Sequence, residues 1–96
     1  MDKLSIYRQY IQDLLSKYHS SDKSEANYES QLIFDETRDH YLWLDVGWDE
    51  TKRVYFTVIH FDIKDGKIWL QKNATDLDPA EDLVEMGVDV NRPSNN

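Results

Sequence analysis

Along the first stretch of the chain, apolar residues recur at spacings of three and four. Leu4, Tyr7, Ile11, Leu14, Leu15 and Tyr18 fall on one stripe, and Arg8, Gln9, Gln12, Asp13 and Lys17 on the opposite one. That spacing follows the turn of an α-helix and predicts an amphipathic helix with one core-facing side. The next stretch, 19–26, reads HSSDKSEA. It is polar and serine-rich, and predicts the loop that ends the helix. From 28 to 73 the period drops to two, in segments rich in β-branched and aromatic residues bounded by turn chemistry. Four strands are predicted, at about 29–35, 39–48, 53–64 and 67–73. Their connections are so short that neighbours must run antiparallel, giving a meander.

The last turn fixes a register. Asp65 and Gly66, between Lys64 and Lys67, suit a two-residue turn of type I′, in which both central residues take positive φ. That turn sets Ile63 opposite Ile68 and Phe61 opposite Leu70. A three-residue loop would set Asp62 against Ile68 and His60 against Leu70, mixing polar and buried positions. Counting back by twos divides the sheet into two faces. The first holds Leu42, Leu44, Val46, Tyr55, Ile59, Phe61, Ile63, Ile68 and Leu70 and seats the N-terminal helix. The second holds Tyr41, Trp43, Val54, Phe56, Val58, His60, Asp62 and Trp69. A solvated sheet face is ordinarily polar, and this one is aromatic. Tyr41, Trp43, Val54, Phe56, Val58, His60 and Trp69 are therefore the expected protein-interaction face, covered by the second helix or by a partner.

That second helix is signalled near Pro79. Asp78 is the N-cap, Pro79 the first helical residue, Glu81 the far side of a capping box, and Gly87 the left-handed stop. Ala80, Leu83, Val84 and Met86 supply its apolar side. The fold class is thus α+β: an N-terminal helix, a four-stranded antiparallel meander and a short C-terminal helix. A single domain is expected over 1–88, with 89–96 a polar, frayed tail.

Composition narrows the function classes. The chain has 96 residues, enough for one domain, and lacks cysteine, which excludes disulfides, thiolate metal ligands and a cysteine nucleophile. No apolar run reaches the roughly 18 residues of a membrane span, and the start MDKLSIYRQY has no signal-peptide pattern, so the expected compartment is the cytoplasm. The net charge of −8 comes from 19 acidic and 11 basic residues, and of the basic ones only Lys52 and Arg53 are adjacent. A phosphate backbone is repelled by such a surface, which disfavours direct nucleic-acid binding. The aromatics alone do not make a single-strand platform without a cationic groove.

Candidate chemistry is sparse. His60 and Asp62 lie two apart on a strand and point the same way, whereas the counting places His40 on the other face and His19 in a loop. Two converging ligands fall short of a mononuclear zinc site, so hydrogen-bonded histidines are the plainer reading, with a metal-assisted hydrolase on His60 and Asp62 as an alternative. Asp35, Glu36, Asp39, Asp45, Asp49 and Glu50 gather at strand ends, where turn chemistry explains them better than a carboxylate pair does. Asn73-Ala74-Thr75 matches a glycosylation sequon but reads as local side-chain bonding where the last strand leaves the sheet. No phosphate-binding or nucleophile motif is present in the sequence, and no catalytic residue, metal or cofactor is assigned.

The segment Ile59-His60-Phe61-Asp62-Ile63-Lys64-Asp65-Gly66-Lys67-Ile68-Trp69-Leu70-Gln71 closely resembles the central signature of the XisI family. So do Tyr7-Arg8-Gln9-Tyr10-Ile11, Arg38-Asp39-His40-Tyr41, Val46-Gly47-Trp48-Asp49, Asn73-Ala74-Thr75 and Asp82-Leu83-Val84-Glu85-Met86-Gly87-Val88. The resemblance covers nearly the whole chain in order. It implies an α+β fold particular to that family, a cyanobacterial source, and a role as an excision controlling factor of the fdxN element during heterocyst differentiation. It further implies work beside a recombinase and an XisH-like partner of nuclease-type fold, and it carries no catalytic residues. Family members usually continue past Gly87-Val88 with an apolar, strand-like segment. The polar end here reads as a shortened copy, with a sheet edge left open. The expected function is that of a non-catalytic accessory protein that binds the XisH-like partner, with homo-oligomers and a direct DNA-binding, excisionase-like action as alternatives.

Overall fold

A computed structural model describes residues 2–21 and 28–92. The polar stretch 22–27 and the last four residues lie outside them, so the predicted loop and the end of the predicted tail are not described. The elements run in the order α1 (Lys3–Ser21), β1 (Tyr28–Asp35), β2 (His40–Asp49), β3 (Lys52–Lys64), β4 (Lys67–Asn73), α2 (Pro79–Glu85) and β5 (Val90–Asn91).

Helix α1 begins where the Asp2 carboxylate accepts the N–H of Leu4 at 3.2 Å, and it buries Ile11, Leu14, Leu15 and Tyr18 from the predicted stripe. It continues through His19, further than the polar composition suggests. His19 packs edge-on against Trp43 and bonds through Nε2 to the carbonyl of Ser30 at 3.1 Å, so a tertiary contact extends the helix past its own apolar stripe.

The sheet has the order β1-β2-β3-β4-β5. Its first four strands form the expected antiparallel meander, and β5 adds a parallel pair, Ile68 with Val90 and Trp69 with Asn91. This fifth strand, inside what reads as a frayed tail, is short, and its pairing follows from where α2 delivers the chain. The type I′ turn stands as predicted: Asp65 and Gly66 have φ of 55° and 74°, with Ile63 facing Ile68 and Phe61 facing Leu70.

Helix α2 is capped at both ends by the residues the sequence names. Asp78 accepts the N–H of Glu81 at 3.1 Å. At the other end Gly87, at φ 99°, donates to the carbonyl of Val84, and Val88 donates to that of Leu83. This pair of bonds is a Schellman motif, and its usual apolar contact is supplied by Leu83 and Val88, both buried. A hydrogen bond from the Tyr18 hydroxyl to the Asp82 carboxylate ties α1 to α2.

The predicted division of the faces needs correction. Between Trp43–Ile59 and Leu44–Thr57 the β2/β3 register shifts, so β3 carries one extra residue around Thr57 and Val58. A β-bulge inverts the in–out phase between its two sides. On the turn side of the bulge the predicted partners hold, with Val46 opposite Tyr55. Beyond it they invert: Tyr41 faces Phe61 and Trp43 faces Ile59, which puts both rings on the helix side. There they join one core cluster with Ile11, Leu15, Ile68, Leu70, Ala80 and Leu83. Tyr41 and Trp43 are buried by the chain's own helices and cannot belong to an exposed interaction face.

Candidate functional site

The same bulge determines what the outer face carries. Shifting the phase of β2 relative to β3 brings His40 directly opposite Asp62, and Leu42 opposite His60. His60 shares a strand and a side with Asp62, two positions away. His40 Nδ1 and His60 Nε2 each lie 2.7 Å from the same oxygen, Asp62 Oδ1. The two rings meet edge to face with centroids 6.2 Å apart. A second shift, in β4 between Leu70 and Lys72, leaves Gln71 as the extra residue, and its Nε2 donates to Asp62 Oδ2 at 3.1 Å. Burial pushes the Asp62 carboxyl up, but the bonds from His40, His60 and Gln71 outweigh it and hold the group below the usual carboxylate range.

The sequence placed two of these groups together and put His40 on the far face. The structure brings three together and adds Gln71. Consecutive apolar residues break the alternation of β3 twice, at Val54-Tyr55-Phe56 and at Val58-Ile59, and the second break coincides with the extra residue.

The predicted interaction set is divided. His60 and Trp69 are on the outer face, Trp69 paired with Asp62 in register. Val54 and Phe56 face Gly47 and Asp45 and share the helix-side phase, and Val58 is buried at the bulge. What the outer face offers instead is an apolar column on β2, from Leu42 through Leu44 and Val46 to Trp48, with Ile33 beside Leu42 and Tyr55 beside Val46. Trp48 is 56% and Tyr55 66% exposed.

A second polar cluster is structural. Arg8 grips the Asp39 carboxylate with two bonds, of 2.7 and 3.2 Å, and the buried Tyr41 hydroxyl donates to the same carboxylate at 2.8 Å. The Arg8 guanidinium holds Asp39 below the usual carboxylate range against the opposing effect of burial, and Tyr41 helps. Burial, then the hydrogen bond to Asp39, raises the Tyr41 hydroxyl. The other carboxylates serve turns and strand pairs. Asp35 accepts the N–H groups of Thr37 and Arg38, Asp39 and Glu50 take left-handed φ, and buried Asp45 bonds the Ser30 hydroxyl. Asn73 and Thr75 bond each other and Leu77, as the local reading requires.

Among the described residues no helix is long and apolar enough to cross a membrane. No curated protein matches the sequence. Two solved structures, both from Anabaena variabilis, are similar over most of their length. A XisI-like protein is 53% identical with a TM-score of 0.86, covering 92% of this chain and 84% of that one. The fdxN element excision controlling factor XisI is 37% identical with a TM-score of 0.82, covering 94% and 90%. The family described as XisI protein matches residues 1–92, and with the helix, meander and short second helix shared by those structures, the chain belongs to the XisI family.

Proposed function

We propose that this chain is a non-catalytic accessory factor that controls excision of a DNA element by docking on an XisH-like protein through the outer face of its sheet. The observation that carries the reading is the apolar column Leu42, Leu44, Val46 and Trp48 with Ile33 and Tyr55. Both helices pack on the other side of the sheet, in the core cluster with Tyr41 and Trp43. In that strip Leu44 is buried and Leu42 and Val46 are half-buried, while Ile33, Trp48 and Tyr55 stand exposed. Exposed aromatic and aliphatic anchors of this kind on a small acidic domain suit a protein partner. The named role of the solved relative as an excision controlling factor supports the regulatory part. The charge of −8 supports a protein rather than a nucleic acid as the direct contact.

Co-purification of the untagged chain with a co-expressed XisH-like protein is the direct test. The complex is expected to form and to be lost on Trp48→Ser or Tyr55→Ser, both changes at exposed positions that leave the core intact. A complex that survives both substitutions removes the outer face from the reading, and failure to form any complex removes the partner.

A further inference from the structure

We infer that His40, His60 and Asp62 form a binding site for one divalent transition-metal ion of the zinc class. Their ligand atoms, one from each residue, all lie within 4.8 Å of one another. Around an ion with metal–ligand distances of about 2.0–2.2 Å, ligand atoms sit roughly 3.3 Å apart on a tetrahedron. The two nitrogen–oxygen separations of 2.7 Å would widen to that value, and the two imidazole nitrogens, no more than 4.8 Å apart, would take the same distance. Two imidazoles and a carboxylate on one side of an ion leave the remaining coordination positions to water.

Three features favour an ion over a purely structural hydrogen-bond network. First, both rings aim at a single carboxylate oxygen, the point from which an ion would draw all three ligands together. Second, Gln71 holds the other oxygen, which turns Oδ1 toward the rings and supplies the outer hydrogen bond that metal-bound carboxylates ordinarily have. Third, the three side chains bond only to one another and to Gln71 among the described residues, so they satisfy no backbone group the fold needs. The site also has an entry: the His40 side chain is 48% exposed, whereas Asp62, at 17%, is sheltered. Loading requires the His40 proton on Nε2 and the His60 proton on Nδ1, so that both lone pairs face the ion.

The test is calorimetric titration of zinc chloride into the full chain, stripped with chelator and carrying no affinity tag. One ion per chain is expected to bind saturably. His40→Ala, His60→Ala and Asp62→Asn are each expected to weaken binding more than tenfold, Gln71→Leu about tenfold, and His19→Gln not at all. Circular dichroism establishes that each variant is folded, and the exposed His40 gives a substitution the fold tolerates. Cobalt(II) in place of zinc is expected to give the visible absorption of a low-coordinate site, abolished by His40→Ala. Absence of saturable binding overturns the inference. So does binding that a folded His40→Ala protein retains in full.

Discussion

At the scale of single residues, Asp39 combines three demands. It closes the β1–β2 turn at φ 61°, a conformation that aspartate and asparagine tolerate better than most residues. It accepts a forked ion pair from Arg8 on α1, and it satisfies the buried hydroxyl of Tyr41. Its carboxyl is held below the ordinary aspartate value, foremost by Arg8. A folded-state value below the unfolded one means the charged carboxylate stabilises the fold at pH values above about 3.9, the unfolded value. That contribution is lost as pH falls through the folded-state value. Asparagine keeps the turn geometry and one acceptor but not the charge. Wild type is therefore expected to have the higher urea midpoint at pH 7, and the gap to Asp39→Asn is expected to close below pH about 4. The other carboxylates titrate in both proteins and cancel. A gap that is unchanged or wider in acid would show that the charge on Asp39 contributes nothing to the fold.

At the scale of elements, what was legible depended on whether the signal was local. Helix α2 was readable because its cap, first proline and left-handed stop lie close along the chain and each does what its chemistry requires, whereas of its predicted apolar side Ala80 and Leu83 are buried and Val84 and Met86 are exposed. The Asp65-Gly66 hairpin was readable because only one turn length kept its apolar residues on one face. The bulge around Thr57 and Val58 was not readable in the same way, since an extra residue changes no composition and the alternation of β3 is already broken at Val54-Tyr55-Phe56, so the second break at Val58-Ile59 does not stand out. That one missed residue misplaced Tyr41 and Trp43 outward and His40 away from Asp62. It thereby exaggerated the aromatic face and hid the histidine cluster. Strand β5 was missed because two residues in parallel pairing carry no periodicity. The helix α2 packing gives a direct check. Leu83 is fully buried and locks the Schellman end against Val88, whereas Val84, one position on, is 46% exposed. Leu83→Ala is expected to cost about 2–5 kcal/mol in denaturant unfolding. Val84→Ala is expected to stay within about 0.5 kcal/mol. Equal losses would mean that α2 is not seated on the core as described.

At the scale of the whole molecule, the question is what a surface of this charge can meet. The four arginines are all engaged within the chain. Arg8, Arg38 and Arg92 pair with Asp39, Asp35 and Asp78, and Arg53 lies over the Trp48 ring while donating to the Gly47 carbonyl. Lys3 and Lys72 sit over Tyr7 and Phe56 at separate places on the fold. Phosphate binding draws its strength from cations that release condensed counterions together, and dispersed cations, the arginines among them already engaged, provide no such term on a net −8 surface. On the proposed reading, this chain therefore acts on a DNA element through a protein that holds the DNA, and not by gripping the phosphates itself. The isolated chain is expected to give no mobility shift with duplex DNA from the element's ends at physiological salt, and none that emerges as salt is lowered moderately. A retarded complex that strengthens steeply on dilution of salt would reveal a cationic footprint that the arrangement of these residues lacks. The proposed division of labour between this chain and its partner would then fail at its electrostatic step.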